Sequence, residues 1–301
     1  MDLLSDVLAT ARTGSPVSGL FVRHAPWGRH YPRVEGAGFH VVLQGSCLLT
    51  RPGAAPLALG TGDAVLMPRG LAHGLADHPD SPLTETAGPH DLRVVDGPGA
   101  PATLLCGSYQ LAADRTHPLL AELPEVVHIP ARLGAHPSLR AAVDLLADEL
   151  THPHPGSDAA VPPLLDLLLL YLLRAWLTEN DTACWSAAFT DQHLAPALRG
   201  IHADPAHPWT VESLGARAGL SRAAFAKRFT AQLGEPPLSY LTRWRMLTAA
   251  HLLRTSDHPL ATIARRTGYS SEYAFSKAFT RAYGTAPGRY RAATEVLRAG
   301  A

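Results

Sequence analysis

The last hundred residues contain one motif written twice. Val211-Glu-Ser-Leu-Gly-Ala-Arg-Ala-Gly219-Leu-Ser221 is followed by Phe225, Phe229, Gly234, Pro237 and Tyr240. Leu260-Ala-Thr-Ile-Ala-Arg-Arg-Thr-Gly268-Tyr-Ser270 is followed by Phe275, Phe279, Gly284, Pro287 and Tyr290. The offset is 49 from Leu214/Ile263 to Ser221/Ser270, and 50 from Phe225/Phe275 to Tyr240/Tyr290. A repeated helix, Gly-containing turn and second helix is the signature of a tandem helix-turn-helix. Such a unit places its second helix in the DNA major groove.

Packing fixes the apolar members of each copy. Leu214, Ala218, Leu220, Phe225 and Phe229 read as core in the first, and Ile263, Thr267, Tyr269, Phe275 and Phe279 in the second. Gly219 and Gly268 take the turn, where positive φ is cheap for Gly. Ser221 and Ser270 stand where a helix cap is expected. What remains is the exposed face. It comprises Arg222, Ala223, Ala226, Lys227 and Arg228 in the first reader, and Glu272, Tyr273, Ser276 and Lys277 in the second. Arg and Lys bond guanine or phosphate, the Ala methyl, Tyr and Ser meet thymine or sugar, and Glu accepts from cytosine.

Charge divides along the same line. The chain has 301 residues and a formal net charge of zero. Residues 195–301 hold 15 Lys+Arg against 6 Asp+Glu, and residues 1–194 hold 11 against 20. A basic end of +9 and an acidic remainder of −9 separate a nucleic-acid-binding part from one that repels it. The opening Met1-Asp-Leu-Leu-Ser-Asp has no basic segment followed by an apolar one, so no secretory signal is read. The apolar run Leu164–Leu177 is short and interrupted by Asp166 and Arg174, so no membrane span is expected. Cys47, Cys106 and Cys184 are scattered without metal-ligand spacing. A cytoplasmic protein with reduced thiols is expected.

Three regions are expected, with an α+β fold overall. Residues 1–133 carry short apolar runs (Phe39–Leu43, Cys47–Thr50, Ala64–Met67, Thr103–Cys106) between Gly and Pro turns, the pattern of a β-barrel or sandwich. Asp77–Gly99 reads as a loop. Residues 134–194 are helical. Leu139, Val143, Leu146 and Leu150 form one amphipathic stripe, and Pro162-Pro163 opens a second, nearly all-apolar helix. That helix is either a core helix of the barrel region or a homodimer interface. Residues 195–301 form the all-α tandem helix-turn-helix.

The stretch Ala195–Ala293 resembles the DNA-binding domain of AraC/XylS-family transcription regulators. The resemblance is carried by Gly268-Tyr-Ser-Ser-Glu-Tyr-Ala-Phe-Ser-Lys-Ala-Phe, the two Gly-x-x-Pro-x-x-Tyr endings, and Tyr240-Leu-Thr-Arg-Trp-Arg-Met between the copies. It implies seven helices, a long central helix at about 237–254, and readers one DNA turn, roughly 34 Å, apart. It places base-reading positions on Ala223, Ala226 and Lys227, then Glu272, Tyr273, Ser276 and Lys277. It implies double-stranded promoter DNA and RNA polymerase as partners, and a homodimer.

Gly62-Asp-Ala-Val-Leu-Met-Pro68-Arg-Gly70-Leu-Ala-His73 fits the second cupin motif. The His and Glu ligands of the first motif would fall near Tyr31, Arg33 and Gly38, so the usual metal triad is missing. The whole pattern resembles the cupin-type subgroup of the family, which includes redox-responsive activators. An effector or sensor centre is expected near His40, Cys47, His73 and Cys106. Its signal is a small molecule first, an oxidant at the thiols second, and a metal ion third, with His30, His40 and His73 as candidate ligands. The competing expectation is a metal-dependent cupin enzyme fused to a DNA-binding tail. The missing ligands argue for a non-enzymatic regulator.

Overall fold

A computed structural model of the chain describes residues 2–83, 97–112, 117–180 and 184–299. It contains two compact units. One comprises Gly14–Ala113 and Glu122–Glu179; the other comprises Met1–Thr13, Asp114–Ala121 and Asn180–Ala301. This division differs from a split at residues 133 and 194.

The first unit is the barrel. Its strands are β1 (Val17–His24), β2 (Gly28–Tyr31), β3 (Ala37–Gln44), β4 (Ser46–Arg51), β5 (Ala54–Gly60), β6 (Ala64–Met67), β7 (His73–Ala76), β8 (Pro101–Tyr109) and β9 (Val127–Ile129). They form a five-stranded sheet, β1-β8-β3-β6-β9, and a four-stranded sheet, β2-β7-β4-β5. All pairs are antiparallel. The inward side chains Phe21, Val42, Leu49, Leu59, Val65, Met67, Leu75 and Leu104 make one core. Of the expected loop Asp77–Gly99, residues 84–96 lie outside the described residues; the described parts hold no helix or strand after Ala76.

The helical pair belongs to this unit. Helix α3 (Pro137–Thr151) and helix α4 (Ser157–Glu179) pack against each other and on β1, and α4 also packs on β9. Helix α4 begins five residues before Pro162, so the two prolines sit in its second turn rather than opening it. Its start is secured one turn earlier. There Gly156 takes φ +98°, His154 N–H donates to Ser157 Oγ at 2.7 Å, and Ser157 Oγ–H donates to Glu149 at 2.6 Å. By length and composition alone α4 is apolar enough to cross a membrane. Its buried residues nevertheless lie within the unit. Leu165, Leu168, Leu169, Leu172 and Leu173 are inaccessible, and Tyr109 O–H donates to the Leu165 carbonyl at 2.9 Å. Of the two readings left open for this helix, that stripe is core.

The second unit is all helical: α1 (Leu3–Ala11), α2 (Pro118–Glu122, whose last residue falls to the barrel unit), α5 (Cys184–Thr190), α6 (Leu194–Ala203), α7 (Val211–Arg217), α8 (Arg222–Leu233), α9 (Pro237–Thr255), α10 (Leu260–Arg266), α11 (Glu272–Tyr283) and α12 (Pro287–Ala299). The seven helices α6 to α12 match the expected number. Helix α1 falls where only strands were expected. Asp2 caps it, and its buried Leu3, Leu4, Val7, Leu8 and Ala11 lie on α6 and α9. That apolar face explains why residues 1–13 join this unit.

Leu172→Ala removes side-chain volume from a fully buried site. It should destabilise the barrel unit by about 2–5 kcal/mol, read as a lower midpoint in chemical denaturation at unchanged slope.

Candidate functional site

The two reading helices are built alike. Ser221 N-caps α8, its side chain accepting from Ala224 N–H at 3.3 Å. In the second copy the cap is Ser271 rather than Ser270, accepting from Ala274 N–H at 3.2 Å. The change of offset from 49 to 50 is therefore one extra residue in the second turn, at Ser270. Gly219 and Gly268 take φ +65° and +77°. At Gly268 the need for glycine is also steric. A Cβ there would meet the Arg245 guanidinium at 2.5 Å, and Arg245 is held by the carbonyls of Pro205 (2.7 Å) and His207 (3.0 Å). The aromatic pairs Phe225/Phe229 and Phe275/Phe279 are fully buried beneath the two helices.

The face left to solvent carries most of the expected readers. Arg222, Ala223, Lys227, Glu272, Tyr273 and Lys277 are exposed, Tyr273 at 79%, while Ala226 and Ser276 are half-buried. Lys227 and Lys277 occupy equivalent places and have no charged partner among the described residues. Two of the arginines are engaged within the protein. Arg222 pairs with Glu212 of α7 at 3.2 Å on the open surface. Arg228 pairs with Asp191, which also accepts from the His193 and Leu194 N–H groups at the start of α6. Arg228, expected on the exposed DNA-facing side, thus also fastens α8 to the N-terminus of α6.

In the barrel, two cross-strand pairs meet face to face. Tyr31 lies opposite His73 across β2 and β7, and His40 opposite Cys106 across β3 and β8. The two sheets bring His40 Nε2 within 2.7 Å of His73 Nε2. The Tyr31 ring stacks on His73 at 5.0 Å, and its hydroxyl lies 3.6 Å from Cys106 Sγ. Cys47 shares the same core cluster. The polar geometry fixes the tautomers. His73 Nδ1–H donates to the Leu71 carbonyl at 2.7 Å, so its Nε2 is an acceptor and His40 Nε2–H the donor. That leaves the bare His40 Nδ1 buried without a hydrogen-bond partner among the described residues.

Of the four expected sensor residues, His40, His73 and Cys106 converge and Cys47 packs nearby. His30 does not join them, because it precedes Tyr31 on β2 and its side chain leaves the opposite face. Sequence reasoning missed Tyr31 as a member. The signal was its place at a first-motif histidine position, read only as an absent ligand. Two imidazoles sharing one ion at about 2.0–2.1 Å stand roughly 3.3 Å apart in tetrahedral geometry. His40 and His73 bond each other instead, and among the described residues no three His, Cys, Asp or Glu side chains converge for a metal.

Burial sets the protonation states. It holds the His40 imidazole well below its usual pKa, helped by His73 and Arg29, and lowers His73 likewise against the opposing bond to Leu71. Burial pushes both the Cys47 and Cys106 thiols up to about 12. At neutral pH both histidines are uncharged and both cysteines are thiols.

A family model described as "Cupin" matches residues 2–178, more than half the chain, and one described as "Helix-turn-helix domain" matches 214–293. A putative AraC-like transcription regulator of Streptomyces antibioticus is 36% identical over 298 residues, spanning 97% of this chain and 98% of that one. The chain is an AraC-family transcription regulator with an N-terminal cupin domain. AlkR, an HTH-type transcriptional regulator of Acinetobacter baylyi, is 32% identical over 88% of this chain and 90% of its own. RclR, an RCS-specific HTH-type transcriptional activator of Escherichia coli, is 29% identical over 97% of each. These AraC-family relatives are regulators and not enzymes, which sets aside the reading of the barrel as a metal-dependent enzyme.

Acid sensitivity follows from the buried histidines. A histidine with a lowered folded pKa takes up its proton first in the unfolded chain. Its contribution is therefore intact above about pH 6.5 and is lost as pH falls from there toward the folded value, by up to about 1.4 kcal/mol per pH unit for each group. Thermal midpoints should be level above pH 7 and fall below pH 6.5. His40→Asn should make that acid limb shallower.

Proposed function

We propose that this AraC-family regulator reads promoter DNA through Ala223, Ala226 and Lys227 of α8 and Glu272, Tyr273, Ser276 and Lys277 of α11. Its barrel then receives a small-molecule effector at the centre formed by His40, His73, Tyr31 and Cys106. The observation that carries the DNA half is the pair of equivalent lysines, Lys227 and Lys277, without a charged partner among the described residues, on two identically capped exposed helices. The Arg228–Asp191 pair argues for a structural part for Arg228. Lys227→Ala and Lys277→Ala should each weaken binding by about 1–3 kcal/mol where the lysine reads a base, or reduce the salt slope by about one where it holds a phosphate. Electrophoretic titration over a range of salt separates the two. Tight binding indifferent to both substitutions and to salt would sink the assignment.

The effector half rests on the buried His40 Nδ1 beside Tyr31 and His73, which has no hydrogen-bond partner among the described residues. A ligand donor reaching that nitrogen relieves the cost of leaving it bare. Thermal shifts across a panel of small metabolites should find a stabiliser in the wild type that His40→Phe no longer answers to. A second reading is thiol oxidation at Cys106 or Cys47, supported by the likeness to RclR. Thiols held at about 12 have a thiolate fraction on the order of 10⁻⁵ at pH 7, which favours the small molecule. Oxidant-dependent DNA binding that Cys106→Ser abolishes, with no metabolite response, would reverse this order.

The assembly proposal is a cytoplasmic homodimer through the outer side of α3 and α4. Leu168 and Leu172 are core, so the surface available is Leu145 (57% exposed) and Leu167 (39%), with Leu164, Leu170 and Tyr171 partly exposed. Leu145→Glu with Leu167→Glu should sediment as a folded monomer while the parent sediments as a dimer. A monomeric parent at micromolar concentration ends the idea. RNA polymerase is the further partner implied by family resemblance, and reporter fusions read whether promoter occupancy raises transcription.

A further inference from the structure

The two tyrosines that close the repeated motif, Tyr240 and Tyr290, are each tied by one intermediary to the amino-terminal helix α1. At Tyr240 the ties form a directed chain. Leu119 N–H donates to His117 Nδ1 at 3.2 Å, which leaves the His117 proton on Nε2. His117 Nε2–H donates to the Tyr240 oxygen at 2.9 Å. Tyr240 O–H donates in turn to His202 Nε2 at 2.5 Å. His202 is left with its proton on Nδ1, which approaches the Asp6 carboxylate of α1 to 3.4 Å, a close polar contact outside hydrogen-bond geometry. Every member is buried, and Trp244 stacks on His202 with ring centres 3.8 Å apart. At Tyr290 the intermediary is Arg254. Its Nη1 donates to the Tyr290 hydroxyl at 2.8 Å, and its Nη2 donates to the carbonyls of Thr10 (2.7 Å) and Arg12 (3.3 Å). Helix α1 has no basic residue in its own last turn, so buried Arg254 supplies the positive charge that its C-terminal carbonyls favour.

Each tyrosine also supports a reading helix. The Tyr240 ring meets Phe229 of α8 edge-on at 5.8 Å, and the Tyr290 ring meets Phe279 of α11 edge-on at 5.3 Å. We propose that α1, acting through Asp6–His202–Tyr240 and through Arg254–Tyr290, is a clamp that sets the spacing of the two DNA readers, with His117, Tyr240, Arg254 and Tyr290 as positioning residues. None of the four stands on the reader faces of α8 and α11. They fix the rings on which those helices lean, and so the register in which the two readers enter successive major grooves. This inference rests on the DNA-reading assignment of α8 and α11.

The test uses the full chain and two operators that differ by one base pair in the separation of the two major-groove segments. Tyr240→Phe and Tyr290→Phe keep the rings and delete only the hydroxyls. The combined variant should lose preference for the better-spaced operator by about fivefold, the low end of site-to-site couplings. Purely structural damage lowers the active fraction on both operators equally and leaves their ratio unchanged. A ratio within twofold of wild type, in protein that melts cooperatively, overturns the clamp. If the double variant does not fold, Arg254→Lys against Arg254→Met decides. The lysine keeps a charged donor and should retain the spacing preference that the methionine loses; equal ratios for the two overturn the proposal. Loss of binding in Lys227→Ala and Lys277→Ala is read separately, so failure of the clamp is distinguishable from failure of the reader assignment.

Discussion

Burial of helix α9 is the constraint on which the helical unit depends. Its residues Tyr240, Leu241, Trp244, Met246, Leu247, Ala249, Ala250 and Leu253 are all withdrawn from water. At roughly 1.5–3 kcal/mol for each large apolar side chain, this helix carries a major share of the unit's stability. Its faces are shared among α6 and α8 of one copy, α10 and α12 of the other, and α1. The core of the second copy includes Met246, Ala249, Ala250 and Leu253 of α9, and Phe229 of the first copy packs on Tyr240 of the same helix. The readers are therefore two outgrowths of one packed body rather than independent modules.

The barrel depends on a different constraint. Two sheets close over an apolar core, and His40, His73, Tyr31 and Cys106 form a polar group within it, beside the buried Arg23 and Arg29. Such a group is tolerable because its hydrogen bonds run in one direction: Leu71 carbonyl, His73, His40. Within the two-histidine chain the cost falls on His40 Nδ1. Tyr31 stacks on His73 and sets its hydroxyl 3.6 Å from Cys106 Sγ. The turns of the second cupin motif keep their glycine geometry. Gly62 and Gly70 still take positive φ, and a Cβ at Gly70 would lie 2.0 Å from the Val34 carbonyl.

Much of this was legible in the sequence because repetition exposes packing. The same apolar and glycine positions occur twice, so each copy annotates the other, and the core residues Phe225, Phe229, Phe275 and Phe279 could be named without a structure. The inward pair His40 and His73 followed from strand alternation and the motif ending at His73. Three things were hidden. Helix α1 is short, and its apolar residues identify no partner, since α9 lies more than two hundred residues away. The engagement of Arg228 depends on Asp191, for which no local pattern exists. The start of α4 was obscured by Pro162-Pro163, because proline marks a first turn only when nothing upstream has already begun the helix.

The placement of α1 bears on how the protein is made. This helix leaves the ribosome before any other described element, yet its partners in α9 follow some 230 residues later. Between them lies a barrel whose strand pairs are all antiparallel and whose two sheets are completed by β1 to β9 alone. Domains generally fold as units while synthesis proceeds, so the barrel forms before α9 exists, with α1 still unpaired. The helical body closes only once α9 has been made, around a helix made some 230 residues before it. Topologically the sensor is an insert within the DNA reader, and a nascent chain stalled anywhere before α9 has no reader to present.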